Sequence, residues 1–212
     1  MAVKGPAGPV PEKGRAAQGA TTRAALVASA RRLFGSQGFA STSLDEIVAD
    51  AKVTKGALYH HFQGKEDLFA AVYEEVQREV SDQVVAKFLE ADPWVALVQG
   101  CELWIDANLD PVVQRIVMRD ARAVLGWDTV RDVEARFGAV PLRGVLRKAM
   151  RMKTIRELPL RPLALMIMGA LNEGCFYVAD ADDPAAARDE VRTMVTTLLA
   201  GLAVEGVARR SS

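Results

Sequence analysis

A chain of 212 residues with 27 Lys and Arg against 27 Asp and Glu, half of it apolar, is long enough for a sizeable core and too evenly mixed to be a disordered or fibrous protein. Its two cysteines, Cys101 and Cys175, stand far apart without a CxxC pair, and its two histidines are adjacent, so no metal-ligand spacing is present and both thiols are expected to be buried in a reducing cytoplasm. The zero net charge hides an asymmetry: residues 1–65 carry nine Lys and Arg against four Asp and Glu, and residues 66–212 carry 18 against 23, which points to a polyanionic partner for the front of the chain only.

Residues 1–20, rich in Gly, Pro and Ala without apolar period, are expected to form a disordered arm. From Thr22, apolar residues recur at three- and four-residue steps to Phe34, and Gly38 ends this first helix. Ser43-Leu44-Asp45-Glu46 is a capping box, in which the serine accepts from the glutamate backbone and the glutamate reaches back. It starts a short second helix over about residues 44–51. Thr54 is the expected N-cap of a third helix that ends at Phe62, before Gln63-Gly64. Helix four opens at Lys65-Glu66-Asp67 and keeps a four-residue apolar step from Leu68 to Phe88, a rod of roughly 40 Å that can join two domains.

Beyond it, Asp92-Pro93, Asp110-Pro111 and Asp183-Pro184 each set a cap before a proline at the first helical position. Helices over about 93–109, 111–125, 127–152, 160–180 and 184–206 are expected, with Pro141 kinking or splitting the third of these. The longest apolar stretch, 163–179, is interrupted by Asn172 and Glu173, and no charged segment followed by an apolar run opens the chain, so neither secretion nor membrane spanning is expected. No strand-like alternation appears, and the fold is expected to be all-α with about nine helices.

Stepping 100° per residue along the third helix puts Leu58 and Phe62 on one side, Gly56 and His60 opposite them, and Ala57 and Tyr59 on the flanks. His61 lies nearer the core edge. A face of Gly and Ala beside Lys55, Tyr59 and His60 allows a backbone to approach a grooved partner and supplies donors for phosphate and base edges. Two helices joined by a tight turn, the second bearing this face, make a helix-turn-helix over residues 43–62. A small three-helix domain with a merely solvated third helix has the same periodicity.

The run from Leu33 to Val72 resembles the DNA-binding domain of TetR/AcrR-family transcriptional regulators. The residues that carry the likeness are Gly38-Phe39, Thr42-Ser43, Ile47-Val48, Val53-Thr54-Lys55-Gly56, Tyr59, His61-Phe62 and Lys65-Glu66-Leu68. The resemblance implies that Ser43, Thr54, Tyr59 and Lys65 hold phosphates and that Lys55, Gly56 and His60 reach base edges of a double-stranded operator. Ala57 lies on the same face without a hydrogen bond to give, which leaves part of the specificity to DNA shape. It also implies a domain division into residues 21–80 for DNA binding and 81–212 for ligand binding and dimerisation. Such proteins are homodimers through their last two helices, here about 160–180 and 184–206. One departure is Lys52, where the family commonly has glycine; a left-handed residue there would cost about 1–2 kcal/mol, so a slightly different turn is expected.

The resemblance further implies a small-molecule effector held among helices four to eight. Trp104, Trp127, Phe137, Met166, Phe176 and Tyr177 are candidate lining residues, though a core or dimer contact accounts for each as well, and for the Trp, Phe and Met residues it is the favoured reading. Asn172 and Glu173 are polar inside an apolar helix and need partners. Arg119 belongs to a stripe with Arg115 and Arg122 that could meet an anion or simply be solvated. The reading is a ligand-released dimeric repressor. A ligand-independent or activating regulator keeps the DNA binding and drops the effector. A helical enzyme or interaction protein is the remote alternative, unsupported by any catalytic constellation, metal cluster or phosphate loop, and no cofactor is expected.

Overall fold

The computed structural model of the chain describes residues 12–89 and 92–204. Among them the backbone is helical, with no strand beyond an isolated antiparallel bridge between Ile155 and Ala203. In chain order come α1 (Glu12–Gln37), α2 (Leu44–Asp50), α3 (Lys55–His61), α4 (Lys65–Phe88), α5 (Pro93–Asn108), α6 (Pro111–Val113), α7 (Ala121–Glu134), α8 (Val140–Arg151), α9 (Leu160–Ala179) and α10 (Pro184–Ala200). A π-helical stretch, Gln114–Asp120, joins α6 to α7, and another, Ala135–Ala139, joins α7 to α8. The chain divides into two compact units, Met1–Val72 and Tyr73–Ser212, so the division falls inside α4.

The first unit is built on Leu26, Ala30, Phe34, Ile47, Leu58, Phe62, Leu68 and Phe69, all buried. Phe34, Phe39 and Phe69 form a ring trio with centroids 5.2–5.6 Å apart, a geometry that adds to simple area burial. The first helix starts earlier than expected. It is already formed at Glu12 because residues 12–20 hold good helix formers, and the Thr21 and Thr22 hydroxyls donate back to the carbonyls of Ala17 and Gln18. That corrects the disordered reading for residues 12–20; residues 1–11 of the expected arm lie outside the described residues. Gly38 ends α1 at φ 84°, its N–H donating to the Phe34 carbonyl. Lys52 takes φ 54°, so the turn between α2 and α3 keeps its left-handed residue rather than changing shape.

In the second unit the three Asp-Pro devices cap as expected. Asp92 accepts from the Trp94 and Val95 amides, Asp110 from Val112 and Val113, and Asp183 from Ala185 and Ala186. Gly126, at φ 77° and ψ 164°, breaks the rod between residues 125 and 127. Pro141 stands at the start of α8, where its missing amide costs no bond, and a π-helical turn precedes it. Read as rods broken at Gly126, the described residues make nine helices. The last helix stops at Ala200 rather than 206. There Leu202 accepts from the Arg156 amide and the Val204 amide donates to the Thr154 carbonyl, which draws the chain into the bridge; residues 205–206 lie outside the described residues. At Gly174 an added Cβ would stand 2.6 Å from Val191 Cγ1, so α9 and α10 approach closely there.

Candidate nucleic-acid interface and cavity

The second and third helices are fixed before any partner arrives. Ser43 accepts from the Glu46 amide at 3.2 Å, while Glu46 Oε2 accepts from the Ser43 amide at 2.7 Å and hydroxyl at 2.8 Å. Those bonds from Ser43 hold the Glu46 carboxyl below its ordinary range. Thr54 caps α3 by accepting from the Ala57 amide. On α3, Leu58 and Phe62 are buried, while Lys55, Gly56, Tyr59 and His60 are exposed; Tyr59 shows 54% of its surface. Ala57 and His61 are half-buried. An added Cβ at Gly56 would meet nothing nearer than Thr54 Oγ1 at 4.0 Å, so packing within the chain does not demand glycine there.

The two lysines differ. Lys55 pairs with Asp45 at 2.7 Å on an exposed surface, and that carboxylate raises its pKa. Lys65 is tied to the fold: its ammonium donates to the Thr42 carbonyl at 2.7 Å and sits 4.3 Å from the Phe39 ring centroid. Donating also to the Ala40 carbonyl at 3.5 Å, it fastens the start of α4 to the turn before α2 and keeps one ammonium proton for an anion.

In the second unit the named cavity candidates separate. Trp127, Asn172, Glu173 and Phe176 line one cavity of about 630 Å³, bounded by α7, the turn after it, α8 and α9. Trp104 and Phe137 instead line a water-sized apolar gap of about 10 Å³ with Met168. The partner that Asn172 requires is Trp104, whose indole N–H donates to its Oδ1 at 3.2 Å. Met166 and Tyr177 stand on the outer side of α9, 73% and 55% exposed, with the Tyr177 hydroxyl donating to Glu190 at 2.7 Å. Arg119 is exposed and off the cavity, while Arg122 lines it. Arg119 lies in the π-helical stretch and Arg122 just beyond it, and the wider turn breaks up the stripe expected of a regular α-helix.

Sequence reasoning missed Arg131, Glu134, Arg143, Arg161, Leu165 and Met168, which complete the wall. They come from three helices, and no spacing along the chain brings them together. The Arg122 guanidinium lies 5.0 Å from the ring centroids of both Trp127 and Phe176. Burial pushes the Glu134 carboxyl above its ordinary range despite the charge of Arg122, and burial likewise raises the Tyr73 phenol. Cys101 and Cys175 are buried free thiols, each pushed up to about 12 by burial, and so inert.

A capped helix-turn-helix on one compact unit, followed by a helical unit with a cavity, defines a DNA-binding regulator. Residues 26–72 match the model of the bacterial regulatory proteins of the tetR family, and residues 94–202 match the tetracyclin repressor-like C-terminal domain. The chain belongs to the TetR family and is a DNA-binding transcriptional regulator. It is 30% identical over 128 residues to the transposon Tn10 TetC protein of Escherichia coli, covering 60% of this chain and 65% of TetC. It is 51% identical over 53 residues to the HTH-type transcriptional regulator AcrR of Shigella flexneri, a quarter of either chain. A TetR-family transcriptional regulator from Pectobacterium atrosepticum superimposes with a TM-score of 0.78 at 35% identity, over 89% of this chain and 97% of that one. The chain thus spans just under two thirds of TetC and a quarter of AcrR.

Proposed function

We propose that the chain is a homodimeric repressor that occupies a pseudopalindromic operator and is released when a small molecule fills the cavity between α7 and α9. The first unit is the reader and the second unit the dimerisation and effector part. Thr54, Tyr59 and Lys65 hold phosphates, Ser43 reaches one only by giving up its hydroxyl bond to Glu46, and Lys55, Gly56 and His60 face base edges, with Ala57 beside them.

The observation that carries this reading is the outward face of α3. It is bare, rigidly capped and made of a glycine that its own chain does not require beside three donor side chains. A single helix of seven residues offers too few base contacts for tight binding, so a second copy is needed. The surface to supply it is the outer side of the last two helices, where Met166, Tyr177, Met194 and Leu198 are each more than half exposed. The apolar groove between α9 and α10 has room for side chains of a second copy, giving a four-helix bundle. By length and composition α9 could also cross a membrane, but Asn172 and Glu173 at its middle and its packing on α10 favour the protein interface.

The test is selection of bound fragments from genomic DNA of the source organism, with the mass of the complex measured on the best fragment. A palindromic site holding two copies supports the proposal. Binding by a single copy, or with no preferred sequence, removes it.

A further inference from the structure

The effector reading of the cavity between α7 and α9 can be sharpened to a ligand class, and the inference rests on that reading. Four guanidiniums, those of Arg122, Arg131, Arg143 and Arg161, line the cavity against two carboxyls, Glu134 and Glu173. Among the described residues none of the four lies within ion-pair distance of a carboxylate, whereas Arg136, Arg188 and Arg192 on the same unit each do. The cavity therefore holds uncompensated positive charge, and a cation entering it would be repelled.

The rest of the wall is flat and apolar. The ring centroids of Trp127 and Phe176 each lie 5.0 Å from the Arg122 guanidinium, and Leu165 and Met168 extend the surface. Planar rings stack on such faces, and a guanidinium binds a carboxylate through two parallel N–H bonds. A volume of about 630 Å³ suits a body of one to three fused rings. We propose that the effector is a planar aromatic carboxylate, its ring against Trp127 and Phe176 and its carboxylate held by the arginines of α8 and α9, Arg143 and Arg161. A neutral arene would leave the guanidiniums unmatched, and an aliphatic acid would leave the rings unused.

The experiment uses the full chain and three probes with one ring system: 2-naphthoate, 2-naphthamide and 2-naphthylmethylammonium. Each is titrated by calorimetry and by tryptophan fluorescence, since Trp127 lies in the wall. Naphthoate is expected to bind at least about tenfold more tightly than the amide, and the ammonium weakest of all. The double substitution R143Q/R161Q touches side chains that reach solvent, so the fold should be retained, as its melting temperature will confirm. It should weaken naphthoate about tenfold and leave the amide unchanged. Equal binding of acid and amide, tighter binding of the ammonium, no binding of any probe below millimolar concentration, or naphthoate binding unmoved by R143Q/R161Q overturns the proposal. Operator binding is followed in the same samples. Selective naphthoate binding that leaves DNA affinity unchanged supports the ligand class and removes the release mechanism instead.

Discussion

Lys52 holds the turn of the helix-turn-helix at φ 54°, where a side chain is strained and glycine is not. Lys52→Gly should therefore stabilise the chain by about 1 kcal/mol or a little less, once the extra freedom of glycine in the unfolded state is set against the relief. Urea unfolding checks this, and a lower midpoint would contradict it. Glu134 makes the second residue-scale prediction. Its carboxyl is raised in the folded state, so the native chain binds a proton that the unfolded chain releases at lower pH. Stability should fall as pH rises from the ordinary glutamate value through the raised one, and Glu134→Gln should remove that fall and leave the chain more stable at pH 7. Thermal unfolding of both forms across pH 4–8 reads it; parallel curves would count against the burial argument. The place of the turn was legible from a known pattern, but its left-handed residue was not, because the cost of holding a lysine there argues against that geometry. The partial burial of Glu134 was not, since α7 offers exposed acids and a half-buried one in the same lettering.

At the scale of elements, the capping chemistry was written plainly. Ser43 with Glu46, Thr54, and the three Asp-Pro pairs each start the helix they announce, because a cap acts on amides two or three residues away. The π-helical stretches were invisible, and with them the fate of Arg119: a local change of pitch depends on what the helix packs against. The front edge of α1 was misread for a related reason, as composition outweighed the helix propensity of residues 12–20. The recognition helix carries an element-scale prediction with two opposed readouts. Gly56→Ala should stabilise the chain by about 0.5–1 kcal/mol, since an added Cβ meets only open space in a helix. The same methyl should weaken operator binding about tenfold if backbone and DNA approach closely there. Gain of stability with unchanged DNA affinity would remove Gly56 from the interface.

For the whole molecule, sequence pattern reached an all-helical chain with a helix-turn-helix at its front but not how the helices of the second unit face one another. The charge asymmetry and the repeated helical period pointed to a reader and a helical partner unit. Which side of α9 faces inward, and that Tyr177 and Met166 lie outside while Asn172 reaches Trp104, required three-dimensional packing. If the outer faces of α9 and α10 hold two copies together, Leu198→Glu, on a residue 56% exposed, should leave the chain folded and shift it to monomer in sedimentation. A dimer that survives this charge would place the interface elsewhere.

The most direct test of the central claim is titration of the selected operator fragment with the native chain and with Tyr59→Ala, at two salt concentrations. Tyr59 is exposed, so its loss should spare the fold. The account predicts dimeric, sequence-specific binding that weakens with salt and drops about tenfold or more in the variant. Sequence-blind binding, unchanged by Tyr59→Ala, would contradict it.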